Sequence, residues 1–443
     1  MMKLNFTTVG LLAVILGVGD AVPTWPSAID ELEDVMFLNT GYRSRGFGSH
    51  VTPCSFSEFG PGRNTAAEFL RVGFHDMANG NTFIEPRGGI DASLAFELNN
   101  GDNIGTGFAS SLTTYAGYLN SKLSVADMIA LGVYSSVRAC GGPAVPMRGG
   151  RRDATAAGPI GVPQPADGAT VFRARFNRVG FNSVEMIQLV ACGHTLGGVH
   201  SVNFPDIVPP GSAPDGYALF DSTLDFDNKV VTRYLDGPDT DPLSTGPVAN
   251  KRSDRVVFMV DNNATVRALR DAATFNSACS TVLQKMVELV PTGVVLSDII
   301  EPYNVKPTGL QLTLLAGGTR IRFAGDIRVR TTTRSAAQIA SVRVVYKNRS
   351  GGTGGTITTT PVGTAAGFDD SFAVSILCCW CHRAISLTAS SFLASVQRLQ
   401  QPLQSHPLQS LLQLQVVQLR RTTTTARASQ FRTLLCSKHR RVA

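Results

Sequence analysis

The sequence predicts a mainly α-helical body, then a small β-rich appendage and a tail to which we assign no fold. From about residue 60 to 300, apolar residues recur mostly at helical spacing. After Tyr303, short β-branched runs are separated by Gly or Asn, which is typical of strands. The composition changes again after Asp370. We therefore expect four segments, namely 1–21, 22–303, 304–371 and 372–443.

Residues 1–21 have the pattern of a secretory signal peptide. Lys3 supplies the positively charged start, VGLLAVILGVG is the apolar middle, and Gly19-Asp20-Ala21 resembles the small-residue cleavage site. The apolar run is too short to span a bilayer, and no other stretch is long enough. We expect an exported protein without a membrane span.

Periodicity and capping predict five helices in the body, at 64–77, 124–138, 183–196, 254–269 and 277–290. Ser124 is suited to cap the second helix. Asn182, with Glu185 three residues later, is suited to cap the third. In the appendage, LQLTLLAG, TRIRFAGDIRVRTT and ASVRVVYKN read as strands.

The tail explains the net charge of +7. Residues 372–443 contain nine Lys and Arg but no Asp, Glu, Gly or Asn, so the rest carries about −2. A basic surface over the whole protein is excluded, and we expect no nucleic-acid partner. The tail is either a disordered basic segment or sequence that does not naturally continue the gene. The abrupt break in the strand pattern slightly favours the second interpretation.

Four cysteines precede the appendage, namely Cys54, Cys140, Cys192 and Cys279. Export makes disulfides plausible. Spacing alone does not establish pairing. Our expectation is Cys54–Cys140, with Cys192 and Cys279 left open. Asn263 and Asn348 stand in N-x-S/T triplets, which are compatible with glycosylation but common by chance.

Two histidines in helical segments are the candidate functional residues. Arg71 precedes His75 by four positions, so both side chains lie on one helix face. His194 lies in MIQLVACGHTLGGVH, and a helix bringing it to the opposite wall would enclose a flat cofactor. A histidine alone is more often an ordinary helix residue, but Arg71 beside His75 favours a catalytic role. His200 is a less suitable competitor, since it lies beyond two glycines.

These residue types suit cleavage of the O–O bond of a peroxide. His75 could move a proton between the two oxygens, because imidazole changes charge near neutral pH. Arg71 is permanently cationic and could stabilise the developing charge. Asn103 could accept the other His75 N–H. His194 could ligate haem iron with Asp254 accepting its second N–H, which raises the basicity of the ligand.

The chain resembles the plant, fungal and bacterial haem peroxidase superfamily, closest to secreted fungal (class II-like) members, from about Cys54 to Lys306. The motifs occur in the order of the family: Arg71, Phe74 and His75 in R-x-x-[FW]-H, Glu97 with Asn103, Gly150-Arg151-Arg152-Asp153, His194-Thr195, and Ser253-Asp254. The resemblance implies a two-lobed helical haem peroxidase fold of roughly ten helices around haem b. It also implies that Phe74 acts beside His75, that Phe220 lies beside His194, and that Pro143 lines the donor entrance.

The same resemblance implies two calcium ions. The distal set would be Asp76, Gly89, Asp91 and Ser93, and the proximal set Thr195, Asp221, Thr223, Asp225 and Asp227. Carboxylates, hydroxyls and carbonyls are the ligands that calcium prefers. The interval from Asp221 to Asp227 is about one residue shorter than in similar proteins. Asp91 and Ser93 could instead be plain turn residues, and Asp254 a plain helix cap.

We therefore expect an extracellular, monomeric haem peroxidase that uses hydrogen peroxide to oxidise small phenolic or aromatic donors. The alternative is a protein with reduced catalysis that binds cell-wall carbohydrate through the β-rich region. A third interpretation, suggested by the unusual tail, is a product that folds poorly.

Overall fold

The computed structural model describes residues 27–85, 87–347, 352–382, 392–398 and 412–414. The expected signal, Asn348 and most of the expected tail lie outside these residues.

Helices dominate the chain up to residue 288. The described residues form eleven α-helices: α1 Asp30–Phe37, α2 Thr65–Ala78, α3 Gly107–Ala116, α4 Val125–Ala139, α5 Ala169–Arg178, α6 Ser183–Gly193, α7 Lys229–Asp236, α8 Pro242–Thr245, α9 Ser253–Phe258, α10 Ala264–Ala268 and α11 Ala272–Glu288. None of the helices in the described part is long and apolar enough to cross a membrane.

The predicted start signals act as expected. The Ser124 hydroxyl accepts from Asp127 N at 3.0 Å and caps α4. Asn182 and Glu185 form a reciprocal capping box on α6. The predicted helix 254–269 is divided into α9 and α10, because Asn262 and Asn263 have positive φ values of 58° and 63°. That left-handed conformation cannot continue a right-handed helix.

Strands follow in the C-terminal part. The described strands are β1 Thr40–Gly41, β2 Gly198–His200, β3 Tyr217–Leu219, β4 Val305–Leu314, β5 Arg320–Arg330, β6 Ile339–Lys347, β7 Thr353–Thr358, β8 Thr360–Ala366, β9 Ser371–His382, β10 Phe392–Arg398 and β11 Leu412–Leu414. One antiparallel sheet has the order β1-β8-β9-β5-β4, and a second has β11-β10-β6-β7. β2 and β3 form a separate hairpin within the helical body.

The β-rich region extends beyond its predicted end at residue 371. β9 pairs with both β5 and β8, so residues 372–382 lie inside the first sheet. The lack of Gly and Asn after residue 371 makes turns hard to form, but a strand needs neither residue, so the change in composition does not end the sheet. The two sheets share an apolar core that includes Phe323, Val329, Val344 and Leu377.

A buried ion cluster joins the appendage to the helical body. Lys306 Nζ on β4 lies 2.6 Å from a carboxylate oxygen of Glu33 and 3.0 Å from one of Asp34, both on α1. Arg328 on β5 pairs with the same two carboxylates, at 2.9 Å from Asp34. All four side chains are buried. Since Phe372 also enters the main core, the two parts share one folded unit.

Candidate active site

His75 lies on α2, whose first turn is capped by Asn64, the acceptor from Ala67 N at 3.1 Å. His75 Nδ1 is 2.8 Å from Asn103 Oδ1. The Asn103 amide donates to the Glu97 carbonyl at 3.0 Å, which fixes the oxygen toward His75. Nδ1 is therefore the protonated nitrogen, and Nε2 is free to act as a base.

Arg71 lies on the same face of α2 as His75. Its Nη1 donates to the Ile104 carbonyl at 3.1 Å, and its Cζ lies 4.4 Å from the centre of the Phe108 ring. The same ring lies 4.7 Å from the His75 ring. Phe108, at the start of α3, therefore contacts both side chains. No sequence signal pointed to it, since its role comes from contact between distant segments.

Burial sets the charge of this pair. Burial lowers the pKa of Arg71 to about 10, opposed by the nearby Glu68 carboxylate, so the guanidinium stays cationic near neutrality. Burial, assisted by the Arg71 charge, holds the pKa of His75 well below its usual value, although the bond to Asn103 opposes the shift. A neutral imidazole beside a fixed cation is suited to accept a proton.

His194 follows directly after the last residue of α6. Its Nδ1 lies 2.5 Å from Asp254 Oδ2, and its ring stacks on Phe220 with centres 4.4 Å apart. Asp254 is 1% exposed and lies inside α9, whose cap is Arg252, so the helix-cap interpretation of Asp254 is wrong. A carboxylate on one ring nitrogen fixes the tautomer and leaves the other nitrogen for a metal.

One cavity connects the two histidines. Its volume is about 600 Å³, within the range of about 300–1,000 Å³ found for ligand sites. Arg71, His75, His194 and Phe220 line it. Apolar side chains form much of the remaining wall, among them Phe74, Phe172, Phe176, Leu283 and Met286. An imidazole on each side and apolar walls between them fit a flat macrocycle with a central metal.

The proline that the resemblance implies at the donor entrance lies outside the wall of this cavity. Pro143 follows the end of α4 and does not line the cavity, whereas Pro163 and Pro165 do. The P-x-P spacing of these two residues is the feature of the sequence that could indicate them. His200, on β2, lines the same cavity and stacks on Tyr217 with ring centres 4.5 Å apart.

The distal calcium candidates lie together at the C-terminal end of α2, which carries Asp76. Asp76 is fully buried and accepts from the amides of Asp91, Ala92 and Leu94 at 2.8–3.1 Å. Asp91 accepts from Ser93 N at 3.0 Å. Burial, with the Asp91 charge, raises the pKa of Asp76 to about 8. A buried carboxylate whose ionisation is disfavoured by burial and by a neighbouring carboxylate fits a divalent cation.

The proximal candidates form a second cluster. Thr223 Oγ1 donates to Asp221 at 3.0 Å and lies 3.1 Å from Asp227, whose amide donates to Thr195 Oγ1 at 3.1 Å. Burial raises the pKa of Asp221 to about 6, and its Oδ2 is buried without a hydrogen-bond partner among the described residues. Asp225 is exposed and makes none of these bonds. Within the described part, no three His, Cys, Asp or Glu side chains are grouped as metal ligands, so either calcium would depend on hydroxyls and carbonyls.

Two disulfides brace the body. Cys54–Cys140 is the expected pair, and Cys192–Cys279 is the pair that the sequence left open. The second joins α6 to α11 two residues before His194.

The part of the chain that forms this site is similar in sequence to known proteins. Residues 54–274 match the family model described as peroxidase. A WSC domain-containing protein of Arthroderma benhamiae is 53% identical over 379 residues, which cover 84% of this chain and 52% of that protein. The chain thus spans about half the length of that relative.

Plant enzymes are similar over shorter parts. L-ascorbate peroxidase 5 of Arabidopsis thaliana is 34% identical over 177 residues, covering 40% of this chain and 60% of that protein. Peroxidase 22.3 of Oryza sativa subsp. japonica is 29% identical over 266 residues, which cover 51% of this chain and 76% of that protein. The ordered motifs, the cavity between His75 and His194, and these matches have one conclusion: through residues 54–274, the chain belongs to the plant, fungal and bacterial peroxidase superfamily.

Proposed function

We propose that this protein is a haem b-dependent peroxidase that uses hydrogen peroxide to oxidise small phenolic or aromatic donors. The observation that carries the proposal is the single cavity with a neutral His75 and Arg71 on one side and a carboxylate-bound His194 on the other. In the overall reaction peroxide gains two electrons and two protons and becomes two waters. Two donor molecules each lose one electron and one proton.

Each residue has a defined part in this reaction. Haem, which His194 would hold, would supply the redox metal that exchanges electrons with peroxide and donor. His75 Nε2 takes a proton from one peroxide oxygen and returns it to the other. Arg71 stabilises the negative charge on the departing oxygen. Asn103 holds the His75 ring in the required tautomer.

Further parts of the proposal come from the sequence and the family. Calcium ions at the Asp76–Asp91 and Asp221–Asp227 clusters would brace the two lobes around the cofactor. The expected signal at residues 1–21 supports an extracellular enzyme, and we propose that it acts as a monomer. The two disulfides support an oxidising compartment.

Steady-state turnover of the purified haem-loaded protein tests the proposal. We expect peroxide-dependent oxidation of phenols with two donor molecules consumed per peroxide. The matched control is His50→Leu, because His50 bonds to Tyr118 at 3.0 Å and does not line the cavity. Absence of turnover with any phenol or aromatic dye would reject the proposal.

The second candidate is a carbohydrate-binding protein attached to the cell wall through the β-rich region. It is supported by the relative that is 53% identical, whose name refers to a WSC domain and not to an enzyme. Sedimentation with insoluble wall polysaccharide distinguishes the two functions, since binding without peroxide turnover would favour this candidate.

A further inference from the structure

A carboxylate in the cavity wall has no part in the roles above. Asp102 lines the cavity and directly precedes Asn103. Its Oδ1 accepts from Gln164 Nε2 at 3.1 Å. Its Oδ2 is buried and has no hydrogen-bond partner in the part of the chain that the structure describes. A buried carboxylate oxygen without a donor is unfavourable, so a donor group from a bound ligand fits this position.

The nearby cations do not neutralise Asp102 directly. Arg71 is bound to the Ile104 carbonyl and the Phe108 ring. Arg178 lies near enough for the Asp102 charge to oppose the lowering of its pKa by burial. The Arg178 guanidinium nevertheless donates to two backbone carbonyls, those of Ala78 and Gly161, at 2.6 and 2.9 Å. Among the described residues, neither arginine forms an ion pair with Asp102.

The carboxylate is also held in place. Gln164 lies between the cavity-lining Pro163 and Pro165, and its Nε2 donates to the Val162 carbonyl at 3.2 Å as well as to Asp102. The bond therefore joins the loop that carries Asn103 to the P-x-P segment at the cavity wall. A fixed acceptor of this kind needs little reorganisation when a ligand binds.

We propose that Asp102 determines donor specificity by accepting a hydrogen bond from the hydroxyl or amino group of an aromatic donor. Its negative charge disfavours aromatic carboxylates at the same position. The inference rests on the proposed function, since it names the donor class that the cavity selects.

Equilibrium binding to the haem-loaded protein without peroxide tests this inference, using calorimetry with phenol, aniline and benzoate. Asp102→Asn keeps an oxygen for Gln164 and can place an NH₂ group where the free oxygen lies. We expect Kd for phenol and aniline to rise about tenfold, as for loss of a hydrogen bond to a charged group, and Kd for benzoate to fall. Asp102→Ala should weaken phenol without strengthening benzoate to the same degree.

Asp236→Asn is the matched control, because it makes the same charge change at an exposed ion pair with Arg270. An unchanged ratio of phenol to benzoate affinity in Asp102→Asn, or an equal change in the control, would overturn the inference. Failure of the proposed function would look different. If the protein does not turn over peroxide but Asp102→Asn still changes the ratio of phenol to benzoate affinity as expected, the binding role of Asp102 stands and the proposed reaction is wrong.

Discussion

At the scale of single residues, the site depends on keeping one imidazole neutral beside a permanent cation. Burial and Arg71 both lower the pKa of His75, and Asn103 fixes which nitrogen carries the proton. On the other wall, Asp254 supplies negative charge to His194. The two histidines therefore have opposite electrostatic surroundings, which suits one to proton transfer and the other to metal binding.

Substitution of either distal residue should slow the reaction with peroxide. We expect His75→Leu to lower its second-order rate constant by about 10²–10⁴-fold, the usual contribution of a general base. Arg71→Leu should lower it more than tenfold, because the departing oxygen loses its cation. Stopped-flow absorbance measures both rates, with the Soret band as a check that haem remains bound. Rates within tenfold of the parent would show that the assigned roles are wrong.

Asp254→Asn should weaken the proximal ligand without removing it. An amide is neutral, so His194 becomes less basic, and we expect haem affinity or activity to fall by about 10–100-fold. The reduction potential of the iron should rise, which redox titration measures. Ser253→Ala is the control, since its hydroxyl lies 3.2 Å from the other Asp254 oxygen and carries no charge. Equal potentials in Asp254→Asn and the parent would contradict the role.

The sequence predicts the side chains that share a local pattern, such as Arg71 and His75 four positions apart. It does not predict Phe108, Gln164 or the free oxygen of Asp102. Their importance comes from contacts between segments far apart in the chain, and no periodicity or motif records these contacts.

At the scale of elements, capping and hydrophobic spacing predict α2, α4 and α6 well. Short helices such as α8 were missed because four residues contain too little of the repeat. The predicted helix 183–196 ends at Gly193 instead, so His194 stands at the end of the helix, where its ring reaches both Asp254 and Phe220.

The Cys192–Cys279 disulfide should stabilise the element that carries His194. Its 87-residue separation predicts a loss of about 4.6 kcal/mol in the free energy of unfolding for Cys192→Ala with Cys279→Ala. Haem affinity should fall in parallel, because α6 is no longer tied to α11. Guanidinium unfolding with and without haem measures both effects. A double variant with unchanged stability would show that packing alone holds the two helices.

At the scale of the whole molecule, the appendage is part of the folded unit. A chain ending at residue 303 would leave Glu33 and Asp34 without their partners Lys306 and Arg328. Breaking a buried ion cluster by removing one partner costs about 3–5 kcal/mol. We therefore expect Arg328→Met to lower stability by about that amount, measured by denaturant unfolding.

The shortened chain should unfold at lower denaturant than the full chain, or fail to fold. For Arg328→Met, the control is Arg320→Met, since Arg320 is exposed on the same strand, β5. If the chain ending at residue 303 unfolds at the same midpoint as the full protein, the appendage is an independent domain and this account of it is wrong.

The most direct test of the central claim is haem titration of the parent, His194→Ala and His75→Ala, followed by Soret absorbance. We predict one haem per chain in the parent, near-parent affinity in His75→Ala, and strongly reduced affinity with a shifted Soret band in His194→Ala. Equal haem binding by His194→Ala and the parent, or no haem binding by the parent, would contradict the placement of a macrocycle between the two imidazoles.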